Sequence, residues 1–193
     1  MPQASNVSVG KPNVTGAVFR APLETSLPTN AREDLAEGFN DLGYVSEDGV
    51  TNSNSPSSQN IKAWGGVIVY AYQNEKPDTM KLKLIESLNP EVQKAVYGSD
   101  NVEGTLESGI TIKANAKEAE EGAWVIDMAL RENTMKRIVI PDGKVTQVGD
   151  IVYVDNDVIG YDLTITCLPD ESGNTHYEYL VRVPNTSTLP IGG

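Results

Sequence analysis

The stretch "GYDLTITCLPDESGNTHYEYLVRV", residues 160–183, decides the fold class. Tyr161, Leu163, Ile165 and Cys167 alternate with Asp162, Thr164 and Thr166. The same beat returns in Tyr177, Tyr179, Val181 and Val183 against His176, Glu178 and Arg182. A two-residue period sends successive side chains to opposite faces of a strand. Between the runs, "PDESGN" (169–174) holds residues that tolerate tight-turn angles. Parallel pairing needs a long crossover, and none fits here, so the pairing is expected to be antiparallel.

Working outward, the pattern recurs. Met80, Leu82 and Leu84 oppose Lys81 and Lys83 in "TMKLKLI"; Trp124, Ile126, Met128 and Leu130 oppose Val125 and Asp127 in "AWVIDMAL". Further strands are expected within 16–22, 66–73, 109–116, 136–141 and 150–154. "DGK" (142–144) and "DNDVIG" (155–160) read as hairpin turns, which makes the last third an antiparallel meander. Helix is scarce. "NPEVQKAVYG" (89–98) has Asn89 as N-cap, Pro90 at the first helical position and Gly98 as the stop. "NAREDLAEGF" (30–39) is a second, shorter helix expectation. The fold class is mainly β: an antiparallel β-sandwich or partly closed barrel with a short flanking helix. The expected organisation is an N-terminal arm (1–13), a β-domain (14–183) and a C-terminal tail (184–193). A long polar loop, "GVTNSNSPSSQN" (49–60), interrupts the domain.

The totals narrow the function. The chain has 193 residues, 39% hydrophobic and 22% charged, and a net charge of −12. Residues 1–96 carry 8 basic and 11 acidic side chains, a net of −3; residues 97–193 carry 7 and 16, a net of −9. Such a balance argues against gripping nucleic acid, which needs clustered Lys and Arg. No run of about 18 apolar residues is present, so no membrane-spanning helix is expected. The opening "MPQASNVSVG" lacks a basic-then-apolar plan, and assembly in a cytoplasm is expected. The single cysteine, Cys167, shares the parity of apolar neighbours and reads as core packing. His176, the single histidine, has no Cys or His partner in sequence for a metal site. The acidic run Glu118, Glu120 and Glu121 reads as solvated surface. Nucleotide-binding, zinc-protease and nucleophile-elbow motifs do not occur. No catalytic residue, metal or cofactor is therefore expected. Aromatics make up 6%, and Trp64 is the one candidate for a sugar-binding platform; core or hinge packing is the expectation for it.

Four stretches together resemble the major tail proteins, or tail tube proteins, of long-tailed phages of Gram-positive bacteria. They are "VFRAPLETSLPTNAREDLAEGFNDLGYVSEDGVTNSNSPSSQNIKAWGG" (18–66), "LIESLNPEVQKAVYGSDNV" (84–102), "WVIDMAL" (124–130) and "KRIVIPDGKVTQVGDIVYVDNDVIGYDLTITCLPDESGNTHYEY" (136–179). The resemblance implies a non-enzymatic virion protein. Six subunits would form a ring, and rings would stack into a tube that conducts DNA into the host. Implied partners are other copies of the chain, a tape measure protein, a tail terminator and tail tip or baseplate proteins. DNA would pass without specific binding. The resemblance also implies an inter-ring contact at the 49–60 loop, with Val50, Asn52, Asn54, Pro56, Gln59 and Asn60 as its candidate residues. That loop is expected to be mobile until assembly orders it. Lumen-facing acids are expected among polar-parity residues, with Asp127, Asp162 and Glu178 as candidates. Two other readings stay open: a β-sandwich adhesion module of a tail tip or baseplate, and the tube of a contractile injection or type VI-like secretion system.

Overall fold

The computed structural model describes residues 2–13 and 16–183; the expected tail at 184–193 lies outside the described residues. In chain order the strands are β1 (Lys11–Pro12), β2 (Val18–Ala21), β3 (Asn40–Asp41), β4 (Val45–Asn54), β5 (Ser57–Lys62), β6 (Ile68–Glu75) and β7 (Asp78–Leu84). The helix α1 (Pro90–Tyr97) follows, then β8 (Val102–Thr105), β9 (Gly109–Ile112), β10 (Glu121–Leu130), β11 (Thr134–Val148), β12 (Tyr161–Leu168) and β13 (Tyr177–Arg182). The architecture is mainly β and antiparallel, consistent with a sandwich, as the alternation predicts.

The principal sheet runs β3-β2-β10-β11-β12-β7-β4, with β1 added to β10 and β13 to β11. β11 is its spine. Thr134–Val139 pair with β13 along one edge, and Asp142–Val148 pair with β12 farther along it. β10 accompanies β11 from Leu130↔Thr134 to Glu121↔Lys144. The expected "DGK" turn is therefore wrong: Asp142, Gly143 and Lys144 lie inside a 15-residue strand. Gly143 serves space rather than a turn. A Cβ there would sit 2.6 Å from Trp124 Cδ1, and the Trp124 indole donates to the Gly143 carbonyl at 3.1 Å. The meander also ends early, because β13 skips β12 and returns to the first half of β11. Residues 150–154 form no strand, and 155–160 belong to the longer connection between β11 and β12.

The core collects the side chains that alternation assigns to one face. Met80, Leu82, Leu84, Trp124, Ile126, Ile140, Leu163, Ile165 and Cys167 are all buried in it. Burial pushes the Cys167 thiol up to about 12, which leaves it a protonated packing group. α1 closes one flank through Val92 and Ala95, and the Asn89 side chain accepts from the Glu91 amide as its N-cap. The expected helix at 30–39 is instead a run of turns. Asn30 Oδ1 accepts from the amides of Arg32 and Glu33, a local bond that competes with helical pairing.

The carbonyls of that turn explain a second correction. Arg137 Nη1 takes those of Asn30 (3.3 Å) and Glu33 (2.6 Å), while Nε and Nη2 form a two-pronged pair with Asp127 at 2.7 Å each. Asp127 and Arg137 are each 5% exposed. Asp127 therefore cannot line a channel: segment 30–33 roofs the polar-parity face of β10 and turns this carboxylate into an internal tie. Removing one partner of a buried pair strands the other charge, at a cost of about 3–5 kcal/mol. Arg137→Met is expected to lose that much stability in denaturant unfolding. Pairing it with Asp127→Leu should restore most of the loss.

Candidate self-association surface

The stretch expected as a structureless loop is strand. β4, β5, β6 and β7 make one long hairpin: β4 pairs with β7 in the body, and β5 pairs with β6 beyond it. The ladder breaks between Asn54↔Asp78 and Ser57↔Glu75, where Pro56 and Pro77 sit on facing strands. Proline has no amide hydrogen to give a ladder, so the break is written in the sequence. The tip closes through the Ala63 amide on the Val67 carbonyl, with Gly65 and Gly66 at φ +105° and +90°. Those angles suit glycine.

The six candidate residues divide at this break. Val50 packs against the core, and Asn52 Nδ2 donates to Asp78 at 2.7 Å. Asn54 ends β4 in the body. Pro56 marks the joint, and Gln59 and Asn60 lie on the outer half. Sequence reasoning missed what gives that half its character. Cross-strand pairing places Ile61 beside Tyr70 and Gln59 beside Tyr72. Tyr70 and Tyr72 stack with centroids 6.1 Å apart, and the Tyr72 hydroxyl donates to Gln59 at 2.9 Å. The other face of β5 carries Ser58 and Asn60. Ile61, Val67, Ile68, Val69 and Tyr70 are all exposed, and Trp64 is 106% exposed at the tip. The expectation that Trp64 packs in a core or hinge is thus overturned, because no core lies beneath the tip. A hairpin with an uncovered apolar face is marginal alone in water and marks a surface that meets another molecule.

A buried polar knot holds the root of this hairpin. Asp78, the first residue of β7, accepts from Asn52, from the Thr175 hydroxyl at 2.5 Å, and pairs with His176 Nδ1 at 2.5 Å. The single histidine thus works here, tying the lead-in of β13 to the hairpin. The cluster was invisible in sequence, since positions 52, 78, 175 and 176 lie far apart. Of the acidic run, Glu118 and Glu121 pair with Lys144, and Glu120 pairs with Arg20. Asp162 and Glu178 are exposed. Asp162 stands opposite Lys83 on the side turned from the core, whereas Glu178 stands opposite the core residue Ile138 and pairs with Lys136 at 2.8 Å. The two carboxylates do not share a face.

Among the described residues, no group of three or more His, Cys, Asp or Glu is placed to hold a metal, and no helix is long and apolar enough to cross a membrane. A family model described as phage tail tube protein matches residues 5–188. No curated protein matches the chain.

The knot predicts an acid-sensitive hinge. Burial raises the Asp78 pKa, but hydrogen bonds from Thr175, Asn52 and His176, with the His176 charge, outweigh it and leave the group below its ordinary value. A carboxyl so depressed contributes stability that is complete above its unfolded pKa of about 4 and drains away as pH falls through the folded value. Asp78→Asn is expected to remove that acid step. At neutral pH it should cost about 1–3 kcal/mol, because an amide nitrogen replaces one acceptor oxygen. Unfolding followed at pH 7 and across pH 2–5 checks both.

Proposed function

Because the chain belongs to the phage tail tube protein family, we propose that six copies close into a ring and that rings stack into a tube conducting DNA. It is a structural protein of the virion tail tube. The proposed work is mechanical, without turnover. In this reading the tube assembles around a tape measure protein and is bounded by a tail terminator and by tip or baseplate proteins. The observation that carries the reading is the outer half of the β4–β7 hairpin. It displays an apolar face that nothing in its own subunit covers, and a second copy would cover it. The inter-ring contact then falls on residues 57–75 rather than on the whole of 49–60.

Charge supports the channel. Six copies at −12 sum to 6 × (−12), or −72. Phosphates repelled over a Debye length of about 8–10 Å would slide without adhering. Asp162 and Glu178 lie on different faces of the sheet, so at most one of them lines the bore.

Electron microscopy of the purified protein is expected to reveal rings or long tubes with a central hole. A chain that stays monomeric at high concentration and captures a glycan instead would sink the reading. Charge reversal should then be selective. Of Asp162→Lys and Glu178→Lys, only the bore-facing one is expected to slow DNA ejection while tubes still form. Normal infectivity from both would count against an electrostatically repelling wall.

A further inference from the structure

The hairpin has a second end. β7 runs from the root at Asp78 to Leu84, and directly beyond it lies a notch of about 540 Å³ lined by Ile85, Ser87, Leu88, Pro90 and Leu106, with Glu86 at its side. Leu88 is 68% exposed and Leu106 56%, so its apolar walls are open to solvent. Leu106 arrives from the turn of the β8–β9 hairpin, whose Thr105 and Ser108 bond each other across the turn. The tip thus lies beyond one end of β7, past the proline break, and the notch directly beyond its other end.

We infer that the Trp64 tip of one copy plugs the Leu88–Leu106 notch of a second copy in the next ring. This deepens the tail tube reading and rests on it. Three observations favour a second copy as the occupant. First, tip and notch are both apolar and uncovered: a bare indole on a narrow turn, and an open hollow walled by Leu88 and Leu106. Second, they are complementary in charge. Lys62 is the only charged side chain between residues 57 and 74. Glu86 lines the notch and Glu107 follows Leu106 in the turn. Glu86 accepts from the Tyr44 amide and the Asn89 side chain, yet neither acid forms an ion pair among the described residues, whereas nearby Glu91 and Glu103 are matched by Lys94 and Lys113. On a chain of net −12, a cationic apolar tip finds a suitable anionic rim on its own kind. Third, the placement suits propagation. A plug at one end and a socket at the other make a head-to-tail contact, which leaves a free plug and a free socket after every addition. Such a contact extends a stack instead of closing a pair. A large aromatic entering a desolvated pocket is the usual form of an interface anchor.

The test compares six forms of the full chain: wild type, Trp64→Ala, Leu106→Asp, the single variants Trp64→Cys and Leu106→Cys, and the double variant that combines those two cysteines. Trp64 touches nothing in its own subunit, so Trp64→Ala should melt like wild type. The concentration needed for tube formation is expected to rise at least tenfold for Trp64→Ala and for Leu106→Asp. The double-cysteine chain, oxidised after assembly, should give a ladder of covalent dimers, trimers and higher species, and neither single cysteine should. Trp64→Ala tubes forming at the wild-type concentration would overturn the plug while leaving the tube function standing, and so would a double-cysteine tube without a ladder. Wild-type protein that never polymerises would overturn both. Tip-dependent binding to lipid vesicles or cell-wall glycan in place of self-association would overturn the plug as well.

Discussion

Three strands depend for their position on the backbone ladder of β11. Its Thr134–Val148 run gives hydrogen bonds to β10 on one side and to β13 and then β12 on the other. A single strand with two successive partners on one edge must let the sheet diverge at their junction. The β10–β11 register shifts between Trp124↔Ile140 and Gly122↔Gly143, where β11 carries one extra residue, and this shift and Gly143 against the Trp124 ring lie at that junction. Glycine admits the indole, and the indole's hydrogen bond to the Gly143 carbonyl fixes where the two halves part. From this point the core forms on one side, and the β12-β7-β4 limb is carried outward to launch the long hairpin.

That geometry separates two kinds of β structure within one chain. The body buries alternate residues and ties its polar interior through Asp127–Arg137 and the Asp78 knot. Beyond the proline break the ladder continues, but side chains on both faces are exposed. Backbone pairing keeps such a hairpin formed while burial within the subunit adds almost nothing to it. In the proposed tube its apolar face would gain most of its stabilisation from a partner. A chain of net −12 opposes that association at long range and favours it only when apolar surfaces and the Lys62 tip come close. Solubility before assembly and cohesion after it thus come from forces of different reach.

Alternation was legible where one face is buried and the other wet. The Met80–Leu84 and Tyr161–Cys167 faces, the buried Trp124 and the Asn89-capped helix are as the sequence predicts. It misled where that contrast vanishes. β10 is covered on both faces, so parity assigned Asp127 to solvent without knowing that segment 30–33 roofs it. Residues 49–60 are wet on nearly every side, and a strand without burial contrast reads as a loop. "DGK" carries turn chemistry, yet Gly143 is there for the neighbouring indole, a reason no local pattern contains. Most of the self-association surface was hidden for the same cause: Trp64, Ile61 and Tyr70 resemble core residues until the backbone shows that no core lies under them.

The hairpin's two prolines and its polar root belong to one mechanical argument. Pro56 and Pro77 interrupt the ladder, so the outer half can take a direction different from the body. Freedom of direction alone would be costly, because an undirected tip must lose that freedom on binding. The Asp78 knot opposes it. Thr175 and His176 fasten Asp78, the first residue of β7, to the lead-in of β13, and Asn52 fastens β4 to the same carboxylate. Both strands of the hairpin are thereby anchored within a few residues of the break. A short interruption beside a buried, charge-assisted anchor leaves a tip aimed in advance, which lowers the entropy lost when copies join. Because that anchor centres on the Asp78 carboxylate, protonating it in acid loosens the aim.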